Sequence, residues 1–207
     1  MSGKIEISHY VLETKVLGPY TRSAMWVHGC CFNCKGCLAE EMNKDEPDIK
    51  TVDDLVDIFT NATSCEGITI SGGEPFLQAG ALSQLVKEIK TRRDYGVIVY
   101  SGFTLEELKS KNDKDISVFL DQIDILIDGR YMESMDDGVP FRGSSNQRII
   151  MLTDRYKDVF EEYYMDRKKR DIEIRIEEHN VYMVGVPSEY GLKTWKDLKK
   201  RAEANVD

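Results

Sequence analysis

The stretch "GITISGGEPFLQAGALSQLVKEIK", residues 67–90, holds the unit from which the fold is built. Ile68, Thr69 and Ile70 form a short β-branched run that Gly72 and Gly73 stop, the pattern of a buried strand entering a loop. Leu82, Leu85, Val86 and Ile89 then recur at helical spacing with charges opposite, so a helix follows. The alternation continues in both directions. Upstream, "TVDDLVDIFTNA" starts at Thr51 with a capping hydroxyl and early acids, and spaces Leu55, Ile58 and Phe59 as a helix does. Downstream, "GVIVYSGF" is a strand ending at glycine, and "TLEELKSK" sets Thr104 and Glu107 at the spacing of a capping box. "IDILIDGR" is a third apolar run, ending at Asp128-Gly129, and "QRIIML" adds a fourth strand. Strand, glycine loop and helix in repeated order predict an α/β fold around a parallel sheet. Ligands of such sheets gather beyond the carboxyl ends of the strands, which singles out residues 71–75, 101–102 and 128–130.

Beyond these units, residues 154–170 read as helical. "DIEIRIEEHNVYMVGVP" alternates Ile172, Ile174 and Ile176 with charges before a turn at His179-Asn180, a hairpin pattern, and "KTWKDLKKRAEA" suits a short helix. The expected organisation is a core over residues 1–152, with a helix, β-hairpin and short helix over residues 153–207 packed on it. "DRKKRD", the densest basic run, is expected to be a solvated helix end.

With 207 residues, 41% hydrophobic, 31% charged and only five prolines, the composition is that of an ordinary globular chain with one core. The first residues lack the apolar stretch of a signal peptide, and no run of about 18 apolar residues occurs, so the expected location is the cytoplasm. Thirty-seven acidic against 28 basic residues give a net charge of -9, which weighs against general affinity for nucleic acid or an anionic membrane.

Four of the five cysteines fall within "WVHGCCFNCKGC", residues 26–37. In a reducing compartment such crowding points to metal binding or catalysis rather than disulfides. Cys30, Cys34 and Cys37 are spaced C-x3-C-x2-C, and three thiolates on a short loop can wrap three corners of a cubic iron-sulfur cluster. The fourth iron would then lack a protein ligand, as a catalytic centre requires. Zinc held by three cysteines and His28 is the alternative, although zinc modules usually bring two separated ligand pairs and no second pair follows. Cys31 points elsewhere in any compact loop, and Cys65 suits a buried small side chain.

C-x3-C-x2-C followed one βα unit later by "SGGEP" resembles the radical S-adenosylmethionine (SAM) superfamily. The resemblance implies a partial (β/α) barrel with a small C-terminal β/α extension, and one 4Fe-4S cluster on Cys30, Cys34 and Cys37 whose unique iron binds SAM. It also implies that Gly72, Gly73 and Glu74 meet the SAM methionyl group. Further segments, "LGPYTRSAMWVHGC", "VIVYSGFTLEEL", "IDILIDGRYMES" and "FRGSSNQRII", are similar to the activating components of anaerobic ribonucleotide reductases over residues 18–150. That likeness adds Ser101, Asp128, Asn146 and Arg148 as pocket candidates. It implies hydrogen abstraction from a glycine of a large partner enzyme, with electrons from a flavodoxin or ferredoxin-type donor. An incomplete barrel would leave an opening wide enough for a protein loop. The chain departs from the pattern in "LAEEMN" after Cys37, where an aromatic residue and Asn are expected, and in the additional Cys31. Radical chemistry on a small molecule or peptide, and a zinc-stabilised binding module without catalysis, are the competing readings.

Overall fold

A computed structural model describes residues 3–166, 170–177 and 180–203. In chain order it contains β1 (Lys4–Thr14), β2 (Arg22–Val27), β3 (Asp48–Thr51), α1 (Val52–Thr60), β4 (Gly67–Gly72), α2 (Ala79–Arg92), β5 (Gly96–Ser101), α3 (Leu105–Ser110), α4 (Lys114–Leu120), β6 (Ile125–Asp128), β7 (Arg148–Met151), α5 (Lys157–Asp166), β8 (Ile172–Glu177), β9 (Asn180–Gly185) and α6 (Glu189–Glu203). Thr51 and Asp54 form a reciprocal capping box at the start of α1, and Thr104 and Glu107 do the same for α3.

Seven strands make one sheet in the order β3-β1-β2-β4-β5-β6-β7. The middle four, β2, β4, β5 and β6, run parallel, as the repeated alternation predicted. Antiparallel strands flank them: β1 and β3 at one end, β7 at the other. The chain returns from β6 through residues 129–147 without a crossover helix, so "RIIM" enters beside β6 in the opposite direction. The two ends of the sheet, β3 and β7, do not pair with each other among the described residues, and the sheet is open. The hairpin pattern is present as β8-β9, a separate two-stranded sheet. Its turn lies outside the described residues at 178–179, as do residues 167–169 of the basic run.

Strand alternation gives the large sheet two faces. On one, Met25, Val27, Ile68, Ile70, Val97, Val99 and Leu126 pack under the apolar stripes of α1, α2 and α4, in a core that includes Leu55, Phe59, Leu85 and Phe119. The opposite face is covered only at its flanks. At the β6 side Ile98, Ile125 and Ile127 meet Phe141, Tyr156 and Phe160, while at the β2 side Val11, Leu17 and Ala24 meet Val184 of β9. Trp26, Ser71 and Tyr100, from the middle strands, line the cavity on this face.

Arg22, fully buried, ties the parallel strands together at the end opposite their glycine loops. Its guanidinium donates to Thr69 Oγ1 (3.1 Å), Glu66 Oε2 (2.9 Å), Tyr156 Oη (2.7 Å) and the carbonyls of Ile68 and Gly96 (3.1 and 3.2 Å). A buried cation without such partners would be costly, and here its donors face acceptors. Arg170 does the same for the C-terminal segment, donating to the carbonyls of Val139 (3.0 Å), Arg142 (2.8 Å) and Pro187 (2.9 Å) and pairing with Asp136.

Candidate active site

β2 delivers the chain into a loop whose backbone is fixed before the first cysteine. Gly73 N donates to Val27 O (2.8 Å), Glu74 N to Gly29 O (2.8 Å) and Gln78 Nε2 to His28 O (3.1 Å). Asn43 reaches back from beyond the last cysteine: its Oδ1 accepts from Gly29 N (2.8 Å) and its Nδ2 donates to Ala39 O (2.9 Å). Phe32, between Cys31 and Asn33, holds the loop from the other side. Its ring meets Phe103 edge-on at 4.7 Å, and the Arg130 guanidinium lies 4.6 Å from its centroid.

Cys30, Cys34 and Cys37 all line one cavity of about 590 Å³. Gly72, Gly73, Glu74 and Ser101 line it from the ends of β4 and β5, and Gly129, Tyr131, Gly143 and Gln147 from the loop after β6. Cys31 is exposed and does not line it. Cys65 is buried, its thiol against Leu12 O at 2.8 Å. His28, the ligand a zinc site would need, is not part of the lining, and its Nδ1 lies 3.2 Å from Ser8 Oγ. Among the described residues no three His, Cys, Asp or Glu side chains converge as a site for a single ion. A cubic cluster asks for something else, because each thiolate binds its own iron and the three sulfurs need not meet at one point. Three free thiols on one wall of one cavity fit that demand. Burial pushes the Cys30 and Cys37 thiols up, so neither is a ready nucleophile by itself, whereas a coordinating metal would remove the proton outright.

Gly72 has φ +110, and a Cβ there would lie 2.4 Å from Val27 N and O. The turn therefore requires glycine, and it lays the loop backbone flat against the end of β2. Glu74 is fully buried, and both carboxylate oxygens are engaged by protein donors. Oε1 accepts from Phe76 N (3.0 Å) and Ser101 Oγ (2.9 Å), and Oε2 from Gly102 N (2.7 Å). The side chain thus fastens the loop after β5 to the loop after β4.

Burial pushes the Glu74 carboxyl up to about 7, against the pull of those hydrogen bonds. Between its ordinary 4.5 and 7 the folded protein holds more protons than the unfolded chain, so stability falls as pH rises through that window. Between about pH 5 and about pH 7 the decline is expected to be about 2 kcal/mol. Urea unfolding of the apoprotein at about pH 5 and about pH 7 measures it, with Glu74→Gln, neutral throughout, as the reference. Equal pH slopes for the two proteins would refute the assignment.

Asp128, Asn146 and Arg148 are not part of the cavity lining. Asp128 follows Leu126 by two residues and so shares the helix-packed face, where its Oδ2 accepts from Leu105 N at the start of α3 (2.7 Å). Arg148 pairs with Asp128 and with Glu106. Asn146 Nδ2 donates to Arg130 O (2.8 Å), bracing the loop after β6. Sequence reasoning did not single out Asn43, Phe32, Tyr100 or Gln147, nor Met183, Gly185 and Val186 from the C-terminal segment, all of which line the cavity. The asparagine of "LAEEMN" was the one visible signal among them.

Residues 16–150 match the sequence model of a family described as 4Fe-4S single cluster domain. The anaerobic ribonucleoside-triphosphate reductase-activating protein of Vibrio cholerae is 35% identical over 147 residues, covering 67% of this chain and 92% of that protein. Its counterpart in Escherichia coli K12 is 30% identical over 146 residues, with 66% and 92% covered. That of enterobacteria phage T4 is 27% identical over 145 residues, with 67% and 89% covered.

Proposed function

Because the chain belongs to the family of anaerobic ribonucleoside-triphosphate reductase-activating proteins and carries its 4Fe-4S single cluster domain, we propose that it is a radical SAM activase of such a reductase. It removes a hydrogen atom from one glycine of the partner, giving 5'-deoxyadenosine and a glycyl radical. The observation that carries this reading is the shared cavity, in which Cys30, Cys34 and Cys37 face Gly72 and Gly73.

Cys30, Cys34 and Cys37 hold the cluster, and Cys31 and Cys65 do not. When bound, the cluster supplies the electron that splits SAM into methionine and the 5'-deoxyadenosyl radical. The protein's own part is placement. Gly72 and Gly73 let the backbone come close to the methionyl group, with carbonyls to accept from its amino group. Glu74 positions Ser101 and Gly102 rather than offering a free carboxylate, since its oxygens already accept three donors. Trp26, Tyr100 and Met183 give the cavity apolar walls that keep water from a reactive intermediate.

The open sheet is read as the partial (β/α) barrel of the radical SAM type, with residues 1–152 as core and 153–207 as an extension packed on it. A flavodoxin or ferredoxin-type protein is the electron donor. The cytoplasm, where that donor and the reductase would be found, is the location this reading implies; separately, no helix among the described residues is long and apolar enough to cross a membrane.

The test uses anaerobically reconstituted protein, SAM, a reductant and the reductase from the same source. A glycyl EPR doublet on the reductase should appear together with stoichiometric 5'-deoxyadenosine and methionine. SAM cleavage that leaves every candidate reductase without a glycyl signal would transfer the chemistry to another substrate.

A further inference from the structure

The relatives use about nine-tenths of their own length to match this chain, and the family model ends at residue 150. What remains of them is too short to hold a counterpart of residues 153–207. This segment is nevertheless built into the site: Met183 and Gly185 of β9, and Val186 after it, line the cavity. Arg170 fastens it to the loop after β6 through the carbonyls of Val139, Arg142 and Gly143.

The two faces of the hairpin differ. One is seated on β1 and the start of β2: Glu173 accepts from Lys15 N (2.9 Å), Tyr182 stacks on His9 at 3.9 Å, and Val184 is buried against Val11, Leu17 and Ala24. The register pairs Ile174 with Met183 and Ile176 with Val181, and alternation puts all four on the other face. Ile174 is 47%, Val181 46% and Ile176 82% exposed. Single exposed isoleucines are unremarkable, but these lie on one continuous apolar surface whose inner end, Met183, is already a wall of the cavity.

We propose that this face of β8-β9 is the docking surface for the polypeptide segment of the reductase that carries the target glycine. The inference rests on the activase reading above. The occupant is an extended segment with apolar side chains beside its glycine. A sheet face with side chains repeating every second residue matches the repeat of an extended peptide, and the continuity with Met183 directs that peptide into the cavity. A second copy of this chain on the same face would cover the path to the cavity, so it is the weaker occupant.

The experiment uses the reconstituted holoprotein and the reductase, with Ile176→Asp and Val181→Asp combined; both positions lie outside the cavity lining. Iron content and uncoupled SAM cleavage without reductase should match wild type, which shows that fold and site are intact. The reductase concentration giving half-maximal glycyl radical formation should rise at least about tenfold, as for loss of central apolar contacts, with the saturated rate little changed. Ile176→Asp alone should shift it in the same direction by less. An unchanged half-saturating concentration would overturn the proposal. So would a variant that differs from wild type only in oligomeric state, since the face would then belong to a second copy. If wild type itself cleaves SAM but forms no glycyl radical, the activase reading fails and takes this proposal with it; if wild type succeeds and the variants equal it, only the docking surface fails.

Discussion

Replacing Cys30, Cys34 or Cys37 by Ala is expected to leave a folded protein that retains no cluster and forms no 5'-deoxyadenosine. In the proposed ligand set each thiol would bind a different corner of the cluster, so none could stand in for another, and two remaining protein ligands would leave two irons open to solvent. The nearest spare thiol, Cys31, cannot substitute because it does not line the cavity. Cys31→Ala should therefore keep full iron and sulfide content after anaerobic reconstitution, along with SAM cleavage. Cys65→Ala should keep both and lose only about 1 kcal/mol of stability, the cost of a small buried side chain and its bond to Leu12 O. Iron and sulfide analysis and the visible thiolate-to-iron absorbance are the measurements. Loss of the cluster in Cys31→Ala would refute the ligand set.

Gly73→Ala is expected to be nearly as severe without touching a ligand. A Cβ at this position would sit 1.9 Å from Gly29 O and 3.0 Å from Asn43 Oδ1. Gly29 O is the acceptor of Glu74 N, and Gly29 N is held by Asn43, so the atoms that would have to move fix the base of the cysteine loop. Backbone cannot yield as a flexible side chain can. The variant should lose roughly 3 kcal/mol of stability. SAM cleavage should fall at least about a hundredfold, because a displacement on the order of 1 Å between the two loops misplaces the reacting groups. Unfolding midpoints and the rate of 5'-deoxyadenosine formation test the two effects separately. Wild-type cleavage in Gly73→Ala would show that the close approach of the loops has no part in the chemistry.

The parts legible in the sequence were those whose determinants lie close together along the chain. Thr104 and Glu107 announce α3 because both halves of its cap fall within four residues, and the crowded cysteines announce a metal site, which the SGGEP loop one βα unit later narrows from zinc to an iron-sulfur cluster. β1 was not anticipated, although Ile5 and Ile7 are buried under the helices and Val11 is buried on the opposite face. Its register shifts between Ile7 and His9 and again between Val11 and Thr14, and those irregularities break the alternation by which strands are found. The direction of β7 was not legible either, since nothing within "RIIM" says which way it enters the sheet. At the site, Asn43 and Phe32 act by reaching other loops, and Met183 arrives from beyond residue 150. Such long-range meetings leave no local pattern. Asp128 could have been assigned to the helix side by counting two residues from Leu126, a parity argument the glycine after it obscured.

The Arg22 hub also constrains how this chain can change over generations. A Cβ on Gly67 would lie 2.6 Å from Arg22 Nη2 and 2.3 Å from Gly96 O, and one on Gly96 would lie 1.7 Å from Tyr156 Oη. Arg22, Tyr156 and the two glycines therefore form a coupled set: a larger side chain at either glycine presses on the arginine or the tyrosine, and loss of the arginine removes the buried donor shared by Thr69 Oγ1, Tyr156 Oη and the carbonyls of Ile68 and Gly96. Accommodating a side chain at either glycine requires a compensating change at Arg22 or Tyr156. The hub is in effect a lock at the far end of the sheet, matched at the cavity end by Gly72 and Gly73, which tolerate a Cβ no better.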